Sequence, residues 1–331
     1  MSANGSAPLL QMTDLRVDFR QGQRVVRAVD GLSYRVAPAR TLALIGESGS
    51  GKTVSSRAII GLLPATARVT GSIRFQGQEL VGLRERKLRR YRGCEIAMVF
   101  QDPSRSLNPT IRIGPQIVEA IQLHSSMRDA AAMDRAVELM ELVRLPAARE
   151  RFQQYPHQLS GGMRQRVMIA IALAADPKLL IADEATTALD VTTQAQIMEL
   201  LRDLQQRLGM ALIMISHDLG LAASFADEVL VMYAGRGVER APTRELFGHV
   251  RMPYTRALLD AIPRLESTPH SPLAAVPGQP PDLALEQVGC PFAPRCPDVT
   301  DKCRQHAPPF DEQEPEHMWA CWHPCGVGAP S

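Results

Sequence analysis

The distribution of apolar positions along the chain changes character twice. Between residues 14 and 36 apolar and polar residues alternate and β-branched or aromatic side chains recur ("LRVDF", "LSYRV"), the period-two pattern of antiparallel strands at the edge of a fold. The alternation then gives way to short continuous apolar runs: "TLALIG" at 41–46, "IAMVFQ" at 96–101, "LLIAD" at 179–183 and "ALIMIS" at 211–216. Strands without alternation are covered on both faces, so these runs predict the parallel sheet of an α/β domain. From about 115 to 150, Ala, Val, Leu and Met recur at helical intervals ("AAAMDRAVELMELVRL"), which predicts a mostly helical segment inserted into the α/β core. After about residue 250 the pattern breaks down in "PRLESTPHSPLAAVPGQPPD", whose prolines suit a linker or an extended arm.

The turn after the first apolar run carries the clearest chemistry. "GESGSGKT", Gly46 to Thr53, fits GxxxxGK(S/T) and lies between a predicted strand and the helical pattern "KTVSSRAIIGLL", the context in which that spacing forms a phosphate loop. Gly46, Ser48, Gly49, Ser50 and Gly51 would let backbone N–H groups wrap phosphates, with the positive end of the helix behind them. Lys52 would reach the β and γ phosphates, and the Thr53 hydroxyl would ligate Mg²⁺. The run "LLIADE" ends in Asp183 and Glu184, two carboxylates at the carboxyl end of a sheet strand, where such sheets place ligands. Beside a phosphate loop they would take different roles: Asp183 would hold Mg²⁺ through a water, and Glu184 would orient or deprotonate the attacking water.

Composition narrows the setting. A chain of 331 residues has room for one large domain and an appendage, and 37 Lys and Arg against 35 Asp and Glu leave a net charge of +2, so no basic field argues for nucleic acid. The start "MSANGSAPLLQMTDLRVDF" lacks a charged region followed by an apolar core and predicts no secretory signal. The richest apolar run, "VMIAIALAA" at 167–175, is far short of the ~20 residues that span a bilayer, so a membrane role requires separate membrane subunits.

"LSGGMRQR", Leu159 to Arg166, opens the helical pattern "MRQRVMIAIALAA" and resembles the signature of ATP-binding cassette ATPases. The remaining motifs of that family follow in order. Gln101 after "MVF" resembles the Q-loop, "TALD" ending at Asp190 the D-loop, and His217 in "MISHD" the switch histidine. The resemblance implies an α/β P-loop NTPase fold of the ABC type, with a RecA-like core, an antiparallel β edge and an inserted helical subdomain. It also implies a dimer in which two nucleotide domains pack head to tail. Ser160, Gly161 and Gly162 would then cap the ATP bound to the partner, His217 would contact the γ-phosphate on its own side, and Gln101 would sense Mg²⁺ and the attacking water. Loss of the bridging γ-phosphate opens such a dimer. For the adenine an aromatic residue upstream of the phosphate loop is expected; Phe19 is the candidate and Tyr34 the second choice.

"VFQDPSRSLNPTIRIGPQI", "YPHQLSGGMRQRVMIAIALA", "ALDVTTQAQIMELL" and the tail "MPYTRALLDAIPRL" with "GCPFAPRCP" resemble the peptide-importer branch, which includes oligopeptide, dipeptide, glutathione and nickel uptake systems. The branch implies an ATP-hydrolysing subunit peripheral to the cytoplasmic face of the inner membrane. Its partners would be a second, non-identical ABC ATPase subunit, two transmembrane permease subunits and an extracytoplasmic substrate-binding protein. The domains would be residues 8–250 for the nucleotide-binding domain, with a helical subdomain at about 103–175, and 251–331 for a Cys-rich C-terminal extension. A soluble cassette ATPase acting on DNA or ribosomes, or a metal- or redox-regulated module with vestigial ATPase, are the competing readings. Two departures stand out: Ala185 replaces the usual proline after the glutamate, and Met252 stands where histidine precedes "PYTRALL".

Five of the six cysteines lie in the last forty-two residues. In a reducing compartment such a group reads as metal ligands before disulfides. Cys290, Cys296, Cys303 and Cys321 are separated by five, six and seventeen residues, without the close CxxC pairs of structural zinc. That spread suits a [4Fe–4S] cube, whose thiolates bind different corners, and the resemblance supports it; zinc is the alternative, and free thiols or a disulfide remain. Cys325 is the spare, His317 and His323 become ligands only for zinc, and Cys94 reads as a buried small residue.

Overall fold

The computed structural model describes residues 7–22, 24–186, 189–262 and 276–326. The chain opens with β1 (Leu10–Gln21), β2 (Arg24–Val36), β3 (Thr41–Ile45), α1 (Lys52–Ile59), β4 (Ala67–Phe75) and β5 (Gln78–Glu79). It continues through α2 (Glu85–Leu88), β6 (Ile96–Val99), α3 (Pro103–Ser106), α4 (Ile113–His124), α5 (Asp129–Leu142), α6 (Ala148–Arg151), α7 (Gly161–Ala172), β7 (Leu179–Asp183), α8 (Val191–Leu208) and β8 (Ala211–Ser216). It closes with α9 (Leu219–Phe225), β9 (Glu228–Tyr233), β10 (Arg236–Pro242), α10 (Thr243–Gly248), α11 (Pro253–Asp260), α12 (Asp301–Gln305), β11 (Asp311–Glu314) and β12 (His317–Trp319). Among the described residues no helix is long and apolar enough to cross a membrane.

Two compact units divide these elements. One comprises Ala37–Arg40 and Gly82–Ile215. Its strands β6, β7 and β8 lie side by side and parallel, and β7 and β8 are buried at every position, as their unbroken apolar runs predict. Helices α4, α5 and α7 pack on one another, and on them Ile117, Ile121, Ala136, Leu139 and Ile169 are buried. This is the inserted helical segment.

The other unit comprises Ala7–Val36, Thr41–Val81 and the chain from Ser216 onward. In it an antiparallel sheet runs β2-β1-β4-β5, and a second row of strands runs β11-β12-β10-β9-β3, with β3 parallel to β9. The extension after residue 250 thus belongs to the unit that carries β3 and the phosphate loop, because β12 adds to the edge of β10 through Glu239↔Trp319 and Arg240↔Met318. Of the proline-rich arm, residues 263–275 lie outside the described residues.

The alternation at 14–36 is real but extends further, with β1 starting at Leu10 and its register against β4 slipping between Thr13 and Arg16. Gly71 makes that irregularity possible. Its φ is +93°, and a Cβ there would stand 2.3 Å from the Asp14 carbonyl oxygen. Gly77 also has positive φ, +79°, with nothing within 4 Å of its would-be Cβ. Gly71→Ala should therefore lower stability by more than about 2 kcal/mol, while Gly77→Ala meets only the left-handed backbone cost of about 1 kcal/mol. Urea unfolding of the two variants checks this, and equal losses would contradict the assignment.

Candidate functional site

The phosphate loop spans residues 46–51 between the fully buried strand β3 and the start of α1. Both ends of the loop press against neighbouring backbone. A Cβ on Gly46 would lie 2.2 Å from Met232 O in β9, and one on Gly51 2.4 Å from Ala28 O in β2. Gly49, with φ +80°, meets nothing within 4 Å, so the middle of the loop presents bare, exposed backbone, flanked by the exposed Ser48. Lys52 is 4% exposed and turned inward. Its ammonium donates to Gly46 O at 2.7 Å, Glu47 O at 2.9 Å and Ser50 Oγ at 3.3 Å. These acceptors compensate a buried cation and hold it across the loop it is meant to serve. Thr53 follows in the first turn of α1, half-buried.

Phe19 lies half-buried on β1, opposite Val26 and Ala67. Tyr34, the second aromatic candidate for adenine, is 3% exposed and is a core residue of β2; burial withdraws its ring from any nucleotide.

In the other unit, Asp183 ends β7 with 1% exposure, and Glu184 follows with φ +46°, a region that side-chain-bearing residues enter rarely. The Glu184 N–H donates to Ile215 O at 3.2 Å, tying the turn to β8. Gln101 Nε2 donates to Glu184 Oε2 at 2.7 Å. The structure thus joins two residues that are far apart in sequence and were assigned to one chemical step. Ala185 is buried beside them.

Ser160 caps α7, its Oγ accepting from Met163 N at 3.3 Å. A Cβ on Gly162 would stand 2.6 Å from Thr193 Cγ2, so any larger residue would have to displace the Thr193 side chain where the start of α7 meets the start of α8. Gly161 has Leu189 Cδ2 3.3 Å from its would-be Cβ. Asp190 caps α8 by accepting from Thr193 N at 2.9 Å and Thr193 Oγ1 at 2.8 Å, and these bonds hold its carboxyl below the usual carboxylate range. Thr187 and Ala188, the first half of "TALD", lie outside the described residues. His217 is exposed directly after β8, and Asp218 beside it caps α9 through Gly220 N at 2.8 Å and Leu221 N at 3.2 Å.

Cys290, Cys296, Cys303 and Cys321 line one cavity, walled by Phe292 and Trp322. Among the described residues no three of these sulfurs come within 4.8 Å of one another. Burial pushes the Cys290 thiol up, Cys296 up to about 11 and Cys321 up to about 12, so metal loading would release protons. Cys325 lines a different pocket, with its N–H on Arg251 O at 2.8 Å. His323 does lie at the thiol cavity, with Nε2 3.0 Å from Thr300 Oγ1. His317 does not: fully buried, its Nε2 is 3.0 Å from Glu239 Oε1. That contact corrects its candidacy as a partner of the cysteines. Glu245, Glu314 and His317 bring one donor atom each within 4.8 Å of one another, but Glu314 already pairs with Arg251 at 2.6 Å and Glu245 with His249 at 2.8 Å. Cys94 is half-buried, not buried, because it occupies the turn before β6 with Sγ 3.1 Å from His124 Nδ1.

Sequence reasoning missed Glu47, Tyr254 and Arg295. The Glu47 N–H donates to Tyr254 Oη at 2.9 Å, and Arg295 forks onto the Glu47 carboxylate at 2.7 and 2.9 Å. Proximity of "GESGSGKT" to "CPFAPRC" carries no local signal, since the two are 248 positions apart.

A phosphate loop, a strand-end Asp-Glu pair held by a glutamine, and a serine-capped glycine pair at a helix start define the class of ATP-binding cassette ATPases. Residues 29–187 match the family model for the ABC transporter domain, and residues 238–303 match that for the oligopeptide/dipeptide transporter C-terminal region. The oligopeptide transport ATP-binding protein OppD of Salmonella typhimurium is 48% identical over 316 residues, covering 96% of this chain and 94% of that protein. OppD of Mycobacterium tuberculosis is 50% identical over 316 residues, covering 95% of this chain but 52% of the relative, so the chain spans about half the length of that protein. A dimeric post-hydrolysis state of the ATP-binding cassette MJ0796 bound to ADP and Pi superposes with a TM-score of 0.64 at 25% identity, over 71% of this chain and 99% of that one. The chain belongs to the ABC transporter ATP-binding family, in its oligopeptide/dipeptide branch.

The docking of the C-terminal extension depends on Glu239, which is fully buried. Besides His317, its carboxylate accepts from Arg251 N at 2.6 Å and Met252 N at 3.2 Å. Glu239→Ala leaves these groups buried without an acceptor, and should cost about 3–5 kcal/mol. Thermal melting with limited proteolysis checks it; wild-type melting and an equally protected tail would contradict it.

Proposed function

We propose that this chain is the ATP-hydrolysing subunit of an importer, coupling ATP binding and hydrolysis to uptake of dipeptides or oligopeptides. It would work on the cytoplasmic face of the inner membrane with a second, related ABC ATPase, two permease subunits and an extracytoplasmic substrate-binding protein. The loop after Gln101 would relay dimer opening to the permeases. The 48% identity to the Salmonella relative, over 94% of that protein, and the match of the C-terminal region support this branch over a DNA- or ribosome-directed cassette.

The observation that carries the ATPase reading is the 2.7 Å bond from Gln101 to Glu184, which fixes the carboxylate next to Asp183 at the end of β7. In the proposed reaction water attacks the γ-phosphorus, the bond to the β–γ bridging oxygen breaks, and ADP and phosphate leave. Glu184 orients the water and takes its proton, and Lys52 leaves its loop carbonyls for the β and γ phosphate oxygens. Asp183, Thr53 and Gln101 would hold Mg²⁺, which supplies charge neutralisation between the phosphates. His217 contacts the γ-phosphate, and Phe19 stacks on the adenine. Ser160, Gly161 and Gly162 cap the ATP of the opposing subunit, with Asp190 at the same face.

The thiol cavity is proposed to hold a [4Fe–4S] cluster. A single zinc ion would need its sulfurs about 2.3 Å from one centre, and no three of these sulfurs lie within 4.8 Å of one another, whereas a cube binds each at a separate corner. Zinc is the alternative. For the cluster, a role as structural staple over redox sensing is favoured by the burial of Cys303 in the cavity wall.

Glu184→Gln should keep ATP bound while turnover falls by about 10²–10⁴-fold, measured as phosphate release beside equilibrium nucleotide binding. Turnover at the wild-type rate would sink the assignment. Anaerobically purified chain should carry about four iron and four sulfide with a broad visible band, lost in Cys303→Ser and kept in Cys325→Ser. One zinc per chain and no visible band would select the alternative.

A further inference from the structure

Glu47, the second residue of the phosphate loop, is gripped by the C-terminal region at two points. Its N–H donates to Tyr254 Oη, 2.9 Å away. Its carboxylate receives a two-pronged contact from Arg295, Nη1 to Oε2 at 2.7 Å and Nη2 to Oε1 at 2.9 Å. This is no surface ion pair: the Arg295 side chain is 3% exposed. The rest of the guanidinium is also engaged, Nε on Pro277 O at 2.7 Å, Nη2 on Val276 O at 3.2 Å and Nη1 on Tyr233 Oη at 3.2 Å. A planar fork so surrounded has one orientation, and it fixes the position of the carboxylate it holds.

Arg295 also adjoins, along the chain, residues that line the thiol cavity. It lies between Phe292, which lines that cavity, and Cys296, one of its thiols. Phe292 packs edge-on against Tyr233 at 5.4 Å and tilted against Tyr254 at 5.3 Å, and the Arg295 guanidinium stands 5.7 Å from the Tyr233 ring centre. The backbone of residues 290–296 is therefore tied by rigid contacts to the loop that would cradle the phosphates. Any displacement of this segment that moved Arg295 would either drag Glu47 or leave a buried cation unpaired.

We infer that Arg295 is a positioning residue for the phosphate loop, and that through the Arg295–Glu47 pair nucleotide binding and the conformation of the cysteine segment are coupled. The inference rests on the ATP-binding role proposed for the loop. Coupling of this kind is reciprocal: nucleotide must tighten residues 289–296 by the same free energy with which an ordered segment favours nucleotide.

The test uses the full chain with a fluorescent ATP analogue and amide hydrogen exchange over residues 289–296. In wild type, saturating ADP should slow exchange in that segment several-fold. Arg295→Lys, which keeps the charge and loses the fork, and Glu47→Gln, which keeps the shape and loses the charge, should each weaken analogue binding about tenfold. Both should abolish the ADP effect on exchange, and combining them should add little to either. Glu47→Gln changes no residue of the cysteine segment and serves should the arginine variant misfold. Wild-type affinity in both variants, or an ADP effect that survives in them, overturns the coupling while the nucleotide-binding role stands. A wild-type chain that binds no nucleotide overturns that role and the inference with it.

Discussion

Backbone touching backbone at Gly46 and Gly51 governs the phosphate loop. The two glycines let the phosphate loop run against the carbonyls of Met232 and Ala28, at separations no side chain tolerates. The loop is thereby wedged between β9 and β2, and its shape is set by the sheet before any ligand is considered. Lys52 completes the arrangement. Buried and bonded to the Gly46 and Glu47 carbonyls, its ammonium is already desolvated and oriented, so phosphate oxygens would replace existing acceptors at small reorganisation cost.

The C-terminal extension is built onto this wedge. Strand β12 continues the row of strands that contains β3, and Glu239 gathers Arg251, Met252 and His317 where the tail turns back. Tyr254 and Arg295 then reach the loop from that platform. A tail of loops and short elements would be poorly stable alone; here it acquires rigidity from a finished sheet and returns it to the loop. This is why the extension divides with the phosphate-loop elements and not as a separate body after residue 250.

The sequence was most readable where a local rule dictates structure. "TLALIG", "LLIAD" and "ALIMIS" are strands because a strand covered on both faces needs apolar residues at every position, and all three are fully buried. The loop was legible for the same reason, since its glycines have fixed positions relative to the helix they start, whereas the capping of α7 by Ser160 and of α8 by Asp190 emerged only in the structure. Strand β4 escaped notice because "ARVTGSIRF" is half-exposed and interrupted by Gly71, whose purpose appears only beside Asp14. Strands β9 and β10 lie in a stretch with no associated motif. Tyr34 and Phe19 look alike in sequence; tertiary burial alone separates a core ring from an accessible one. Long-range polar contacts were the least legible, as Glu47 with Arg295 and Glu239 with His317 show, since each partner alone is an ordinary charged or polar residue in a loop or strand.

The proposed function requires the loop from Gly46 to Thr53 to recognise the β and γ phosphates of a nucleotide. Equilibrium titration of the purified full chain with MgATP, ADP and AMP addresses it most directly. One ATP per chain, displaced by ADP but not by a hundredfold excess of AMP, is the predicted result, because AMP lacks the phosphates the loop and Lys52 would hold. Equal affinity for AMP, or no saturable binding of any of the three, would contradict the account.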